Sequence, residues 1–185
     1  MTTRRIPAED ERPFVERAID GDAAAFAELV RRHRDEWYTL ALRLLGDPES
    51  AADATQDATI RAWRSIDGFR GEAAFSTWTY RIVVNSAWSL RRRAKRHVAT
   101  SIDHVDDPTH DPLEMHVDRL GLRDEISAAL LALSAANRAA VVLKDVYGWS
   151  HAEIADGLGI SVTAAKVRLH RGRTALRKRL EGGRP

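Results

Sequence analysis

The residues in this sequence best equipped for chemistry are cations and hydrogen-bonding side chains at helical spacing, and the chemistry they suit is recognition of a polyanion. Near the C-terminus, Thr163, Lys166, Val167, His170, Arg171 and Thr174 fall on one side of a helical wheel. Ala165, Leu169, Gly172 and Leu176 fall on the other, and Arg168, Arg173 and Arg177 lie on the flanks. Lys166 and Arg171 can donate to the acceptors on a guanine edge, and Val167 can meet a thymine methyl. Flanking arginines suit phosphates, which position a protein without reading sequence.

A second set lies upstream. On a helix following Phe75, the residues Trp78, Arg81, Asn85, Trp88, Ser89 and Arg92 share one face, and Tyr80, Val83, Val84, Ala87 and Leu90 share the opposite one. Aromatic rings interleaved with cations suit single-stranded nucleic acid, because unstacked bases offer π-faces and the backbone needs positive charge. Trp88 has a competing reading as a half-buried packing residue. A third set has the opposite sign. Asp53, Gln56, Asp57, Ile60, Arg61 and Arg64 recur at three- and four-residue steps, and between Leu45 and Ile60 there are four acids and no base. Such a stripe repels DNA, so it either faces solvent or meets protein.

The elements that must hold these sets are helices. Phe26, Leu29, Val30, His33, Trp37, Leu40, Ala41, Leu44 and Leu45 give a strong helical stripe over residues 23–45, with Asp22 as its N-cap and Gly46-Asp47-Pro48 as its end. A second helix is predicted over 49–65 and a third over 76–96, with a break around Phe69-Arg70. Residues 1–12 read as a polar tail. From Ser101 to Pro112 there are two prolines and four aspartates without apolar periodicity, which marks a linker. Beyond it, helices are predicted over 122–133, over 135–147 with Ser134 as cap and Gly148 as stop, and over a short segment after Ser150. Glu153 completes a capping box with Ser150. Gly159 then supplies a tight turn, and Ser161 caps the last helix. This is the grammar of a helix-turn-helix, in which small Ala155 permits a close crossing. The domains read as a tail over 1–21 that includes the start of the first helix, a helical module over 22–97, an acidic linker over 98–118, a helix-turn-helix module over 119–181 and a short tail over 182–185.

Composition agrees and excludes much else. The chain has 185 residues, 44% apolar and 30% charged, with a formal net charge of +2. That total hides segregation: six bases and no acids over 81–96, seven bases and no acids over 166–179, and six acids without Lys or Arg over 101–118. With no cysteine, no disulfide framework or ordinary zinc site is available. No phosphate loop, zincin motif or nucleophile elbow is found, so no catalysis and no cofactor is read. His104, His110 and His116 recur every six residues in the linker, but no second shell supports a metal there. With no apolar run of membrane-helix length and no signal-peptide core, the sequence reads as a cytoplasmic protein of all-α class, without membrane insertion.

Phe69-Arg70-Gly71-Glu72-Ala73-Ala74-Phe75-Ser76-Thr77-Trp78-Thr79-Tyr80-Arg81-Ile82-Val83-Val84-Asn85 resembles region 2 of the extracytoplasmic-function (ECF) sigma factors of bacterial RNA polymerase. Asp53-Ala54-Thr55-Gln56-Asp57 and Arg61-Ala62-Trp63-Arg64 match the same pattern. Gly148-Trp149-Ser150-His151-Ala152-Glu153-Ile154-Ala155 and Leu158-Gly159-Ile160 through Lys166-Val167-Arg168-Leu169-His170-Arg171 resemble region 4. The resemblance implies two helical modules and a non-enzymatic specificity factor. It implies that Arg70, Thr77, Trp78, Arg81, Asn85, Trp88 and Arg92 hold the melted −10 element, with a flipped base at the loop 70–77. It implies that Thr163, Lys166, Val167, Arg168, His170, Arg171 and Arg173 read the −35 duplex. It implies that Asp53, Gln56, Asp57 and Arg61 dock on the clamp helices of core polymerase, that region 4 meets its flap, and that an anti-sigma factor controls the protein. A conventional helix-turn-helix regulator is the runner-up. Ala54, Thr55, Ala58 and Thr59 depart from larger apolar residues in relatives and suggest looser packing. Ser134 stands in place of proline, Ala164-Ala165 in place of Thr-Val and Val167 in place of Ser, which alters the expected −35 preference.

Overall fold

The computed structural model describes residues 8–99 and 125–182, and every regular element among them is helical. The readings of residues 100–118 as linker, with His104, His110 and His116, and of residues 183–185 as tail lie outside the described residues.

The first helix, α1 (Ala8–Ile19), begins inside the expected polar tail. Its charge density and Pro13 conceal a stripe in which Glu11, Val15 and Ala18 are all buried. Glu11 is accommodated because its Oε1 lies 2.9 Å from His33 Nε2 on α2 (Ala23–Leu45). The Asp22 carboxylate accepts from the Ala24 and Ala25 amides at 2.9 and 3.1 Å, satisfying two donors that the first turn of α2 leaves open. Gly46 ends the helix at φ 82°, a left-handed conformation that glycine adopts without strain.

Trp37 is fully buried, and its Nε1 donates to Thr79 Oγ1 at 3.2 Å, so the indole enters the core with its one polar atom satisfied. His33 and Glu36 extend this polar seam. The Tyr80 hydroxyl donates to Glu36 Oε2 at 2.7 Å, while His33 Nδ1 lies 3.7 Å away, close enough for attraction but long for a hydrogen bond. His33 and then Tyr80 hold the Glu36 carboxyl below its ordinary value against the effect of burial.

α3 (Pro48–Ser65) packs on α2 and on α4 (Phe75–Ala99) through small side chains. Ala51, Ala54, Thr55, Ala58 and Ala62 are all buried. The residues expected to loosen this helix therefore form its contact ridge. Thr55 and Thr59 donate their hydroxyls to carbonyls one turn back, at 2.7 and 2.8 Å, and so enter the ridge without an unpaired polar group.

In the C-terminal half, α5 (Glu125–Leu131) leads to α6 (Ala135–Val141), which continues as a π-helical segment (Val142–Val146). Ser134 occupies the cap position of α6 but makes no side-chain cap bond, contrary to the expectation from its residue type. α7 (His151–Leu158) starts with the expected capping box: Ser150 N donates to Glu153 Oε2 at 2.8 Å, and Glu153 N donates to Ser150 Oγ at 3.2 Å. Gly159 turns the chain at φ 64°. Ser161 Oγ then accepts from Ala164 N at 3.1 Å to cap α8 (Val162–Gly182). The closest crossing is at Gly172, beyond the expected Ala155. A Cβ at Gly172 would lie 2.6 Å from Val141 Cγ2 and 3.0 Å from Asn137 O.

Two tests follow from this packing. Alanine for glycine within a helix ordinarily stabilises by about 0.5–1 kcal/mol. At Gly172 the backbone carbonyl cannot yield, so Gly172→Ala should instead destabilise by about 1–3 kcal/mol in denaturant titrations. Glu36→Gln should lower the melting temperature at neutral pH. Because the Glu36 pKa is depressed in the fold, its ionised form contributes stability above the ordinary glutamate pKa and loses it as pH falls through the folded value. The difference between the two proteins should therefore shrink in acid.

Candidate nucleic-acid and polymerase interfaces

α8 presents the expected faces. Ala165, Leu169 and Gly172 are buried, and Leu176 is half-buried. Thr163, Lys166, Val167, His170, Arg171 and Thr174 are exposed. Val167 is 42% exposed, an apolar side chain set among donors on a solvent face. The flanks differ from one another. Arg168 is half-buried, while Arg173 forms an ion pair with Asp145 of the π-helical segment. Lys166 and Arg171 remain on the same side as Val167, so one face offers both charged donors and a methyl contact.

The second face is built around three rings. Phe69 leaves the 3-10 turn Ile66–Gly68, and Phe75 opens α4. Their rings meet edge to face at 5.9 Å, and Trp78 packs on both, at 5.1 and 5.7 Å. The intervening residues 70–74 are all exposed, and Gly71 has φ 70°. This clasp pins both ends of a five-residue loop whose side chains face solvent. Thr77, Arg81, Asn85 and Arg92 are exposed, and Trp78 is half-buried. Trp88 is 7% exposed and belongs to the core, so the outward row of aromatics expected from the wheel stops at Trp78. The wheel had placed Trp88 between polar neighbours, but the shared core of the two halves covers that side of the helix.

The third face lies on α3. Asp53 and Gln56 are exposed, and Asp57 and Arg61 are half-buried and paired at 2.7 Å. Ile60 is 45% and Trp63 38% exposed beside them. Trp63 leans on Phe26 with ring centres 5.0 Å apart, which fixes its position. An exposed isoleucine and tryptophan next to fixed charges form a mixed surface that suits protein contact.

The two halves abut. Arg81 Nη2 donates to Asp156 Oδ2 at 2.9 Å, and Tyr80 meets Tyr147 edge to face at 5.3 Å. The Tyr147 hydroxyl accepts from Arg43 Nη1 at 3.4 Å, and burial pushes its pKa up, keeping it neutral. Sequence alone does not mark Phe69, Phe75, Tyr147, Asp145 or Asp156 as site residues. Only the Phe75/Trp78 spacing of three residues carried a local signal; the acids are distant in sequence from the arginines they meet.

Residues 29–97 match the family model for sigma-70 region 2, and residues 123–176 match that for sigma-70 region 4. The chain is 40% identical over 165 residues to the ECF RNA polymerase sigma factor SigE of Mycolicibacterium smegmatis, covering 85% of this chain and 63% of that relative. It is 36% identical over 162 residues to the ECF RNA polymerase sigma factor SigM of Mycobacterium tuberculosis, covering 88% of this chain and 80% of that relative. The fold is similar to that of the sigma factor RpoE from Bartonella quintana, solved with the anti-sigma factor NepR. The TM-score is 0.61 at 25% identity, over 86% of this chain and 98% of that one. With region 2 and region 4 matched in order, and SigM matched over most of its length, this chain belongs to the family of ECF RNA polymerase sigma factors.

Proposed function

We propose that this chain acts as a bipartite, non-enzymatic promoter reader in the cytoplasm, directing core RNA polymerase to a defined set of start sites. The observation that carries this reading is the exposed face of α8. A capped, glycine-turned helix pair holds Thr163, Lys166, Val167, His170 and Arg171 opposite the buried Ala165–Leu169–Gly172 line. In this reading, region 4 (about 119–181) lays that face in the major groove of the −35 element, with Arg168 and Arg173 on phosphates. Region 2 (about 22–97) captures the melted −10 strand on Arg70, Thr77, Trp78, Arg81, Asn85 and Arg92. A base leaving the stack would meet the loop 70–74, whose ends are fixed by Phe69, Phe75 and Trp78. Trp88 acts from beneath, as support for the helix. The α3 surface of Asp53, Gln56, Asp57 and Arg61, with Ile60 and Trp63, docks on the clamp helices of the largest polymerase subunit, and region 4 meets the flap. Carrying both readers on one polymerase raises the effective concentration of each for its element. An anti-sigma factor is the proposed regulator, since the sigma factor RpoE, solved in complex with the anti-sigma factor NepR, resembles this chain.

Reconstituted transcription tests this reading. The chain and core polymerase should together give specific starts on a bank of promoter fragments. Tight binding to a defined duplex by the chain alone, with nothing added to core polymerase, would instead mark a conventional helix-turn-helix regulator. Arg171→Ala should lower initiation selectively at promoters with particular −35 bases, by about 1–3 kcal/mol at the contacted position. An equal loss on every sequence would make Arg171 a phosphate contact. Asp57→Arg should weaken core binding on the order of tenfold, read as holoenzyme formation, because it reverses a charge in the docking surface. Folding should be little affected, since a solvent-accessible i,i+4 pair such as Asp57–Arg61 contributes only about 0.3–0.5 kcal/mol. Normal holoenzyme assembly by this variant would remove Asp57 from the interface.

A further inference from the structure

α1 lies ahead of the stretch 29–97 matched as region 2, yet it reaches both ends of the loop 70–74. At one end it packs directly against the 3-10 turn Ile66–Gly68, which delivers Phe69. At the other it acts through His33 of α2. Glu11 Oε1 and His33 Nε2 lie 2.9 Å apart, both residues are buried, and neither atom has a hydrogen bond elsewhere among the described residues. Glu36 Oε2 stands 3.7 Å from the other ring nitrogen, so a carboxylate at each side sets the plane of the imidazole. That ring meets Phe75 with centres 5.4 Å apart and lies nearly parallel to Trp37 at 6.1 Å. Trp37 restrains the same turn by a second route. Its Nε1 donates to Thr79 Oγ1, which donates in turn toward the carbonyls of Phe75 and Ser76, both at 3.0 Å. The ring and the carbonyl of Phe75 are thus both tied to α2, and the tie through the ring begins on α1.

We propose that Glu11 and His33 are positioning residues for capture of the −10 strand: the pair orients Phe75, and Phe75 with Phe69 and Trp78 sets the shape of the loop that meets the displaced base. The proposal rests on the −10 reading above. The residue types favour position over stability. Two apolar side chains would fill the same space without the cost of burying polar atoms. A carboxylate and a ring nitrogen instead impose a distance and a direction, which apolar contact does not. α1 also keeps other anchors. Val15 and Ala18 are buried, and the Arg32 guanidinium stands 4.5 Å from the centre of the Phe14 ring. The helix therefore stays docked when Glu11 is replaced, and what is lost is the orientation of the imidazole.

The test uses holoenzyme assembled from the full chain and core polymerase. The probe is a short single strand from the −10 segment of a promoter recovered in the transcription assay, with each base changed in turn. Glu11→Leu removes the polar partner of His33 at similar volume. It should lose about fivefold in discrimination at one or two adjacent bases and none at the others. Glu11→Gln, which keeps an oxygen facing Nε2, should discriminate as the wild type does. Phe75→Leu, which leaves the pair intact, should affect the same bases as Glu11→Leu. Binding of a −35 duplex should be equal in all of them. If Glu11→Leu fails to assemble, His33→Asn reads the same position, since its shorter side chain withdraws from Phe75. A lower melting temperature with discrimination unchanged overturns the proposal, because the pair would then serve stability alone. So does an equal loss at every base, an equal loss in Glu11→Gln, or a different set of bases in Phe75→Leu. If Trp78→Ala also leaves discrimination intact, the −10 reading itself fails; if Trp78→Ala abolishes it while Glu11→Leu does not, only the role of the pair fails.

Discussion

A single buried guanidinium organises the meeting of the two halves. Arg138 has no exposed surface, and a buried charge without partners costs several kcal/mol. Among the described residues it donates to backbone carbonyls: Leu131 and Leu133 at the corner between α5 and α6, and Leu44 and Leu45 at the end of α2. Those last two are carbonyls that a helix terminus leaves without internal donors, and they carry the negative end of the α2 dipole. One cation therefore satisfies two helix ends at once. Because carbonyls have fixed positions along the chain, the guanidinium fork also fixes where α6 meets α2. That in turn places α7 over α4.

The same geometry depends on what the sequence omits. Polar helices have little apolar surface to spare, and several of the contacts here run through narrow lines of small residues. Ala51, Ala54, Ala58 and Ala62 do this for α3, Gly157 for the α7–α4 contact and Gly172 for α6 against α8. Small residues contribute little burial each, but they let backbones approach closely while long polar side chains fan outward into solvent. The functional faces thus follow from packing: Lys166 and Arg171 are exposed because Ala165, Leu169 and Gly172 hold the opposite line.

Local chemistry was legible in the sequence, and distant chemistry was not. The Asp22 cap, the Ser150–Glu153 box, the Gly159 turn and the two faces of α8 all follow from residues within four or five positions of one another. The start of α1 was hidden because Glu11 reads as a solvent residue until His33, a whole helix away, receives it. Ser134 had the right residue type for a cap but makes no cap bond. Trp88 was placed outward by its polar neighbours on the wheel, and only the shared core of the two halves shows why it turns in. Asp145 and Asp156 looked like ordinary surface acids because the arginines they meet are 28 and 75 residues away.

The charge pattern explains how one chain can carry faces of opposite preference without collapsing onto itself. A freely jointed protein with an acidic stripe on α3 and basic stripes on α4 and α8 would be drawn into nonspecific internal pairs. Here the acidic stripe is restrained on its own helix: Asp57 pairs with Arg61, one turn along. The α3 ridge of alanines then fixes the outward angle of the remaining Asp53 and Gln56. On the basic side, two isolated acids, Asp145 and Asp156, meet Arg173 and Arg81 individually. The Asp145 pairing engages a flanking cation of α8 and leaves Lys166 and Arg171 at the centre of that face exposed, while the Asp156 pairing engages Arg81 on α4. On the proposed reading, with one surface for polymerase and two for DNA, the few acids placed opposite arginines set which cations are already paired.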